Sequence, residues 1–133
     1  MKGQVSVEFL IIMAFAFILI IPVLILFLIE TNNINQDVTA AQVNKLADEL
    51  LDAVDNVYYL GAPTQKTLNI YIPDYVEEAM FVGNQIRFNV SPGAFSYIIV
   101  RAAATNITGS LNTNNGMHSI KITAVDETVN IEG

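Results

Sequence analysis

Cysteine is absent from the 133-residue chain, and histidine occurs once, as His118. The lack of cysteine excludes disulfide bonds and thiolate metal sites and leaves the redox compartment open. The sequence also has no glycine-rich phosphate loop and no metal-ligand spacing, and His118 fits a strand or turn better than a catalytic base. We therefore expect a protein that is not an enzyme and that uses no metal or cofactor.

Positive charge is also scarce, because six Lys and Arg residues stand against 13 Asp and Glu residues, giving a formal net charge of −7. The few cations are scattered and form no basic stripe that could neutralise phosphates, so nucleic acid is not an expected partner. Asp48, Asp52 and Asp55 recur on one face of a predicted helix. For these acids a solvated helix face is favoured over a calcium or catalytic site.

A long apolar run, residues 9–29, dominates the composition and contains no charged, amide or hydroxyl side chain. Glu8 and Glu30 flank it. A helix of this length spans roughly 30 Å, the thickness of the hydrocarbon core of a bilayer, and Pro22 within it is tolerated as in other membrane helices. Residues 4–30 are therefore predicted to form a helix that can cross a membrane or lie in the core of a filament.

The next segment, residues 31–62, is predicted to continue this helix as an amphipathic stalk. Apolar residues recur in it at intervals of three and four, and Gly61 and Pro63 supply the signals that end a helix. A continuous helix from about Ser6 to Leu60 would be on the order of 80 Å long. Such a rod needs partners that cover its apolar face.

Residues 63–133 have the composition of a β-rich C-terminal head domain. Gly83-Asn84 and Asp126-Glu127 fit tight hairpin turns between β-branched runs. We expect one antiparallel sheet of about five or six strands, packed on an apolar helix stripe within residues 43–58. The Asn- and Gly-rich residues 105–116 are predicted to form a surface loop. The predicted fold class is α+β. The predicted strands read TLNIYI, AMFV, QIRFNV, SYIIVRAA, HSIKITAV and TVNIE.

The N-terminus fits a secretory signal peptide poorly, because the apolar run is longer than the usual h-region and no small-residue cleavage site follows it closely. Residues 38–40, VTA, have an acceptable form but lie well beyond the run. A plain single-pass anchor stays open, since lipid requires a helix that is apolar all round. In that interpretation Glu8 marks only the membrane interface.

Residues 2–10 read KGQVSVEFL, and the unbroken apolar run follows them directly. This segment resembles the class III signal peptide of archaeal type IV pilin-like proteins: a basic residue and Gly, then Gln-x-Ser-x-Glu-Phe, then a hydrophobic segment. The resemblance covers residues 2–30 closely and the rest of the chain only in its order of helix and then sheet. It implies a pilin-like fold, with a long N-terminal helix followed by a small antiparallel sheet domain.

The resemblance further implies that residues 1–3 are a leader that a prepilin-type peptidase removes on the cytoplasmic side, between Gly3 and Gln4. Gln4 would then be the first mature residue and Glu8 the fifth. The new α-amine, with a reference pKa near 7.7–8.0, would be largely cationic at neutral pH and able to pair with Glu8 of a neighbouring subunit. Gln4 and Glu8 are thus the expected assembly residues. Other implied partners are further copies of the chain, an assembly ATPase and a membrane platform protein.

Two N-glycosylation sequons, at Asn89 and Asn106, are compatible with an extracellular domain. Pro92 follows the first sequon, so Asn106 is the better candidate. The expected function is that of a structural subunit of an archaeal adhesive type IV-like pilus, inserted in the membrane as a precursor and then exported in a surface filament. The alternative is a single-pass membrane-anchored interaction protein or a minor pilin of the assembly machinery.

Overall fold

The computed structural model describes residues 2–93 and 95–133. Helix α1 covers Lys2–Leu60, so the predicted continuity through the polar neck, residues 31–37, is confirmed, although the helix begins earlier than Ser6. Its end lies where the sequence predicts it. Gly61 adopts a φ of 75°, and its N–H donates to the carbonyls of Val57 and Tyr58 at 3.2 and 3.0 Å. Glycine takes this left-handed conformation without the steric cost that other residues meet.

Helix α1 contains residue types that disfavour a helix. Pro22 lies inside the helix; it cannot donate the backbone hydrogen bond of its turn. Thr31, at the start of the polar neck, directs its hydroxyl to the carbonyl of Phe27 at 2.9 Å. Such a bond to the preceding turn keeps a threonine hydroxyl satisfied within a helix. The chain forms two compact units, the first ending at Gln36 and the second comprising Asp37–Gly133.

The predicted α+β class is confirmed, but the strands form two sheets rather than one. A four-stranded sheet A has the order β1-β6-β7-β5, and a three-stranded sheet B has the order β2-β3-β4. Both predicted tight turns are present, between β2 and β3 and between β6 and β7. The strands are β1 Gln65–Ile72, β2 Val76–Val82, β3 Gln85–Val90, β4 Tyr97–Ala102, β5 Asn106–Ser110, β6 Gly116–Val125 and β7 Thr128–Glu132.

The predicted surface loop at residues 105–116 is wrong, because strand β5 occupies its first half. β5 pairs with β7 in parallel, so sheet A is mixed rather than antiparallel. The C-terminal strand β7 lies between β5 and β6. Within β5 only the side chain of Ile107 is buried. A segment with one buried apolar residue has too little alternation to be recognised as a strand.

The core of the second unit lies between the apolar stripe of α1 and the inner faces of both sheets, which confirms the predicted packing on residues 43–58. Strands β1, β3, β6 and β7 supply alternate residues to this core, as the two-residue period of a strand requires. Burial of such side chains is the main favourable term in folding, roughly 1.5–3 kcal/mol for each fully buried Val, Leu or Ile. The least exposed large side chains are Phe88, Leu50, Ile70, Ile72, Ile86, Ile120, Ile122, Ile131, Val43, Val54, Val57 and Val90.

Tyr97, at the start of β4, has a buried hydroxyl that finds no hydrogen-bond partner among the described residues. Burial raises the pKa of the Tyr97 phenol, and the carboxylate of Asp37 adds to the increase. Both causes disfavour the phenolate, since an anion is poorly solvated there and is repelled by a second anion. The native state therefore holds the phenolic proton more tightly than the unfolded chain does.

We expect Tyr97→Phe to stabilise the second unit by about 1 kcal/mol at neutral pH, because it removes an unpaired buried hydroxyl. A raised native pKa contributes stability at pH values below the ordinary tyrosine pKa, and this contribution falls as the pH rises past it. The wild-type chain should therefore lose stability above about pH 10 more steeply than the variant. Thermal unfolding of the full chain in detergent measures both effects. Tyr71→Phe, at a half-exposed tyrosine, should leave the pH dependence as in the wild type.

Candidate functional site

The residues of the N-terminal motif lie on the first turns of α1. Gln4 and Glu8 are exposed, and their spacing of four residues places them on the same face of the helix. The bond between Gly3 and Gln4 also lies within α1. A Cβ atom added to Gly3 would meet nothing within 4 Å. The described chain therefore leaves the predicted cleavage site and the two predicted assembly residues uncovered.

Residues 9–29 extend the motif as a helical surface that is apolar all round. Their large apolar side chains are between 41% and 67% exposed, in contrast to the stripe at residues 43–58. Among the described residues one helix, Gly3–Leu60, is long and apolar enough to cross a membrane. The hydrophobic segment of a signal sequence can have the same length and apolar composition. An apolar area of this size requires cover from lipid or from other protein surfaces.

The acids predicted to form a solvated helix face have mixed roles. Asp48 accepts a hydrogen bond from Arg101 Nε at 2.6 Å, and Arg101 Nη2 also donates to Asn44 Oδ1 at 3.0 Å. Asp55 accepts from the backbone N–H of Ala104 at 2.9 Å. Only Asp52 of the three is an exposed acid without such a bond. The Asp48 side chain is 58% exposed, as expected for a solvated face. Asp48 and Asp55 additionally tie α1 to the end of β4 and to the residues that follow it.

This tie was not predictable from local spacing. Arg101 is 53 positions from Asp48 in the sequence, and nothing in the local pattern around either residue marks the partner. The pair is partly exposed, with side-chain exposures of 30% and 58%, and such pairs contribute at most about 1 kcal/mol. Its main effect is to fix the position of β4 on the helix.

The two sequons lie in different environments. Asn89 is half-buried on β3, the central strand of sheet B, and its side-chain amide lies 3.4 Å from Glu77 Oε2. Asn106 is exposed at the first residue of β5. The hydroxyl of Thr108, the third residue of that sequon, donates to Asn130 Oδ1 at 3.2 Å. Exposure favours Asn106 over Asn89 as a glycan acceptor, although Asn106 begins a strand and not the predicted loop.

His118 does not belong to any group of catalytic or metal-binding side chains within residues 2–93 and 95–133. Its Nε2 lies 2.6 Å from the carbonyl oxygen of Asn114, which can only accept a hydrogen bond. Nowhere in the described chain do three His, Asp or Glu residues come close enough to hold a metal ion.

Comparison of this chain with models of known protein families, with curated proteins and with solved structures finds no match.

Proposed function

We propose that this chain is the non-catalytic structural subunit of an archaeal adhesive type IV-like pilus. The precursor is held in the membrane by residues 9–29, loses residues 1–3 to a prepilin-type peptidase, and polymerises through its N-terminal helix. An assembly ATPase and a membrane platform protein drive its export, as the resemblance of the N-terminal motif implies. The mature protein is then part of an extracellular filament.

The observation that carries this proposal is the position of the QVSVEF motif directly before a fully exposed apolar helix. The second unit buries its own apolar stripe, so the uncovered apolar area is concentrated in residues 9–29. Lipid covers such a surface before assembly, and the same surface of other copies covers it in a filament. One apolar helix thus serves both states.

The charged groups at the N-terminus give the assembled helices a fixed register. Cleavage after Gly3 produces an α-amine on Gln4 that is largely cationic at neutral pH. In an apolar helix bundle an unpaired charge is costly, so the amine and a Glu8 carboxylate are driven to pair. Pairing between neighbouring subunits restricts the axial positions at which one helix can lie against the next.

The mass of the N-terminal peptide of protein sheared from the cell surface tests the proposal. We expect the peptide to begin at Gln4. Gly3→Val should leave the helix intact, because a Cβ at this position contacts nothing, yet the variant should remain as a full-length precursor in the membrane. Surface filaments built from a chain that keeps residues 1–3 would contradict the proposal.

The same experiment addresses the alternative function of a membrane-anchored interaction protein. That alternative predicts a full-mass chain that stays in detergent extracts and never appears in sheared material. A minor pilin would be processed at Gln4 but would be scarce in the filaments. A helical reconstruction in which this chain is the repeating unit would identify it as the major subunit.

A further inference from the structure

The outer face of sheet B is more apolar than a solvent-facing antiparallel sheet normally is. Its outward positions hold Met80, Val82, Ile98, Val100 and Ala102 beside Glu78, Gln85, Arg87 and Asn89. On the edge strand β4 both sides carry apolar residues, with Ile99 buried on the inner side. Ile98 and Val100 point outward and are 57% and 42% exposed, whereas Arg101 lies on the inner side and reaches α1. An exposed apolar row on an edge strand is a feature that proteins avoid unless another surface covers it.

Arg87 is the one cation of this face and lies at its centre. Its register partners are Met80 on β2 and Val100 on β4. The Arg87 guanidinium donates to no carboxylate within the described chain; its Nε and Nη2 donate to Gln85 Oε1 at 3.0 and 2.6 Å. A half-buried guanidinium between apolar side chains is suited to a carboxylate that arrives with an apolar surface around it.

The outer face of sheet A differs from that of sheet B. Its outward positions are mostly hydroxyl and amide side chains, which water solvates well. The contrast shows that the apolar residues of sheet B are not a general property of this fold. The outward Ser, Thr, Asn and Gln residues of sheet A are Gln65, Thr67, Asn69, Asn106, Thr108, Ser110, Ser119, Thr123, Thr128 and Asn130.

A surface of complementary character lies on the solvent side of α1. Asp52 is exposed, and no described group pairs with it, whereas Asp48 and Asp55 on either side are engaged. Two turns further, Tyr59 is 76% exposed, and its ring lies 5.5 Å from that of Tyr58. This helix face therefore presents an unpaired carboxylate two turns away from an uncovered aromatic ring.

The spacings of the two surfaces differ by about 2–3 Å. Asp52 and Tyr59 are seven residues apart on a helix, which separates their Cα atoms by about 10 Å. On sheet B, Ile98 is the diagonal neighbour of Arg87, about 7–8 Å away. The Arg87 and Tyr59 side chains are long and flexible enough to bridge this difference in spacing.

We propose that the outer face of sheet B of one copy docks on the solvent face of α1 of a second copy, with Arg87 paired to Asp52 and Ile98 covering Tyr59. This contact rests on the proposed function and specifies which surfaces of the second unit meet in the filament. The two surfaces are different parts of the same chain, so the contact is heterologous. Heterologous contacts that do not close into a ring generate open helical polymers.

Charge reversal in the full chain tests the pairing. Arg87→Glu and Asp52→Arg should each reduce the yield of sheared filaments at least tenfold, because each places like charges in the contact. The double variant restores opposite charges and should recover at least half of the wild-type yield. Lys121→Glu, on the outer face of sheet A, is the matched control and should stay within twofold of the wild type. Thermal unfolding of each variant checks that the second unit folds.

Introduced thiols give a second measurement that does not depend on yield. Because the chain has no cysteine, Arg87→Cys and Asp52→Cys in one chain introduce its sole thiols. The Cα separation of an Arg–Asp pair exceeds the roughly 7 Å limit of a disulfide, so a longer bifunctional thiol reagent is used to link the two cysteines. Filaments of the double variant treated with it should yield ladders of linked subunits, whereas a single variant cannot form a ladder.

Wild-type cells without filaments would contradict the proposed function itself. Filaments that form at wild-type yield with Arg87→Glu, or charge-reversed variants that the double change does not rescue, would overturn the docking alone. A double-cysteine filament that produces no ladder would also overturn it.

Discussion

Gly109→Ala is expected to lower the free energy of unfolding of the second unit by about 3 kcal/mol or more. Gly109 has a φ of 108°, a conformation that residues with a Cβ rarely adopt. An added Cβ would also collide with the carbonyl oxygen of Ile131 on β7 and lie 2.8 and 2.9 Å from the carbonyl carbon and the amide nitrogen of that residue. Backbone atoms cannot move aside as the end of a flexible side chain can, so β5 and β7 would have to separate.

Thermal unfolding of the full chain in detergent measures this effect, which corresponds to a fall in the midpoint of about 12 °C or more. Gly116→Ala is the matched control. Gly116 also has a positive φ, 127°, but its added Cβ would meet nothing within 4 Å. The control should therefore lose only the contribution of backbone strain. Equal losses of stability in the two variants would show that the close approach of β5 to β7 does not contribute to the cost of replacing Gly109.

Glu8→Ala should reduce the yield of sheared surface filaments at least tenfold while leaving processing at Gln4 intact. Removing the carboxylate leaves the new α-amine without its partner in an apolar bundle, and breaking a buried pair in this way costs about 3–5 kcal/mol. Glu8 is exposed and forms no side-chain hydrogen bond or ion pair with another described residue. Its substitution should therefore not disturb the fold of the second unit.

Glu30→Ala is the matched control for this variant, because Glu30 flanks the other end of the apolar run. It should assemble close to the wild-type level. The mass of the N-terminal peptide separates a failure of processing from a failure of assembly. Wild-type filament yield from Glu8→Ala would show that Glu8 marks only the membrane interface and has no role in register.

The sequence alone predicts the elements whose signals are local. The period of the apolar residues identifies the stripe of α1, and Gly61 marks the end of the helix. The two-residue turns at Gly83 and Asp126 follow from residues that tolerate positive φ, which both adopt here. Each of these signals depends on neighbours within a few positions, so no knowledge of distant contacts is needed.

Other features depend on contacts between distant parts of the chain, and only the tertiary structure decides them. Strand β5 forms although its sequence resembles a loop, because β7 supplies backbone partners and Gly109 permits the close approach. Asp48 and Asp55 bind β4 and the residues after it because the fold brings those partners to α1. The division of the strands into two sheets has the same origin.

The N-terminal helix shows the same division between local and distant determinants. Its sequence determines that residues 9–29 form an apolar helix preceded by the QVSVEF motif, since both are properties of consecutive residues. The tertiary structure decides that the stripe at residues 43–58 is buried by the two sheets while residues 9–29 stay exposed. The reason is physical: an apolar side chain is buried only where the fold supplies a surface to cover it.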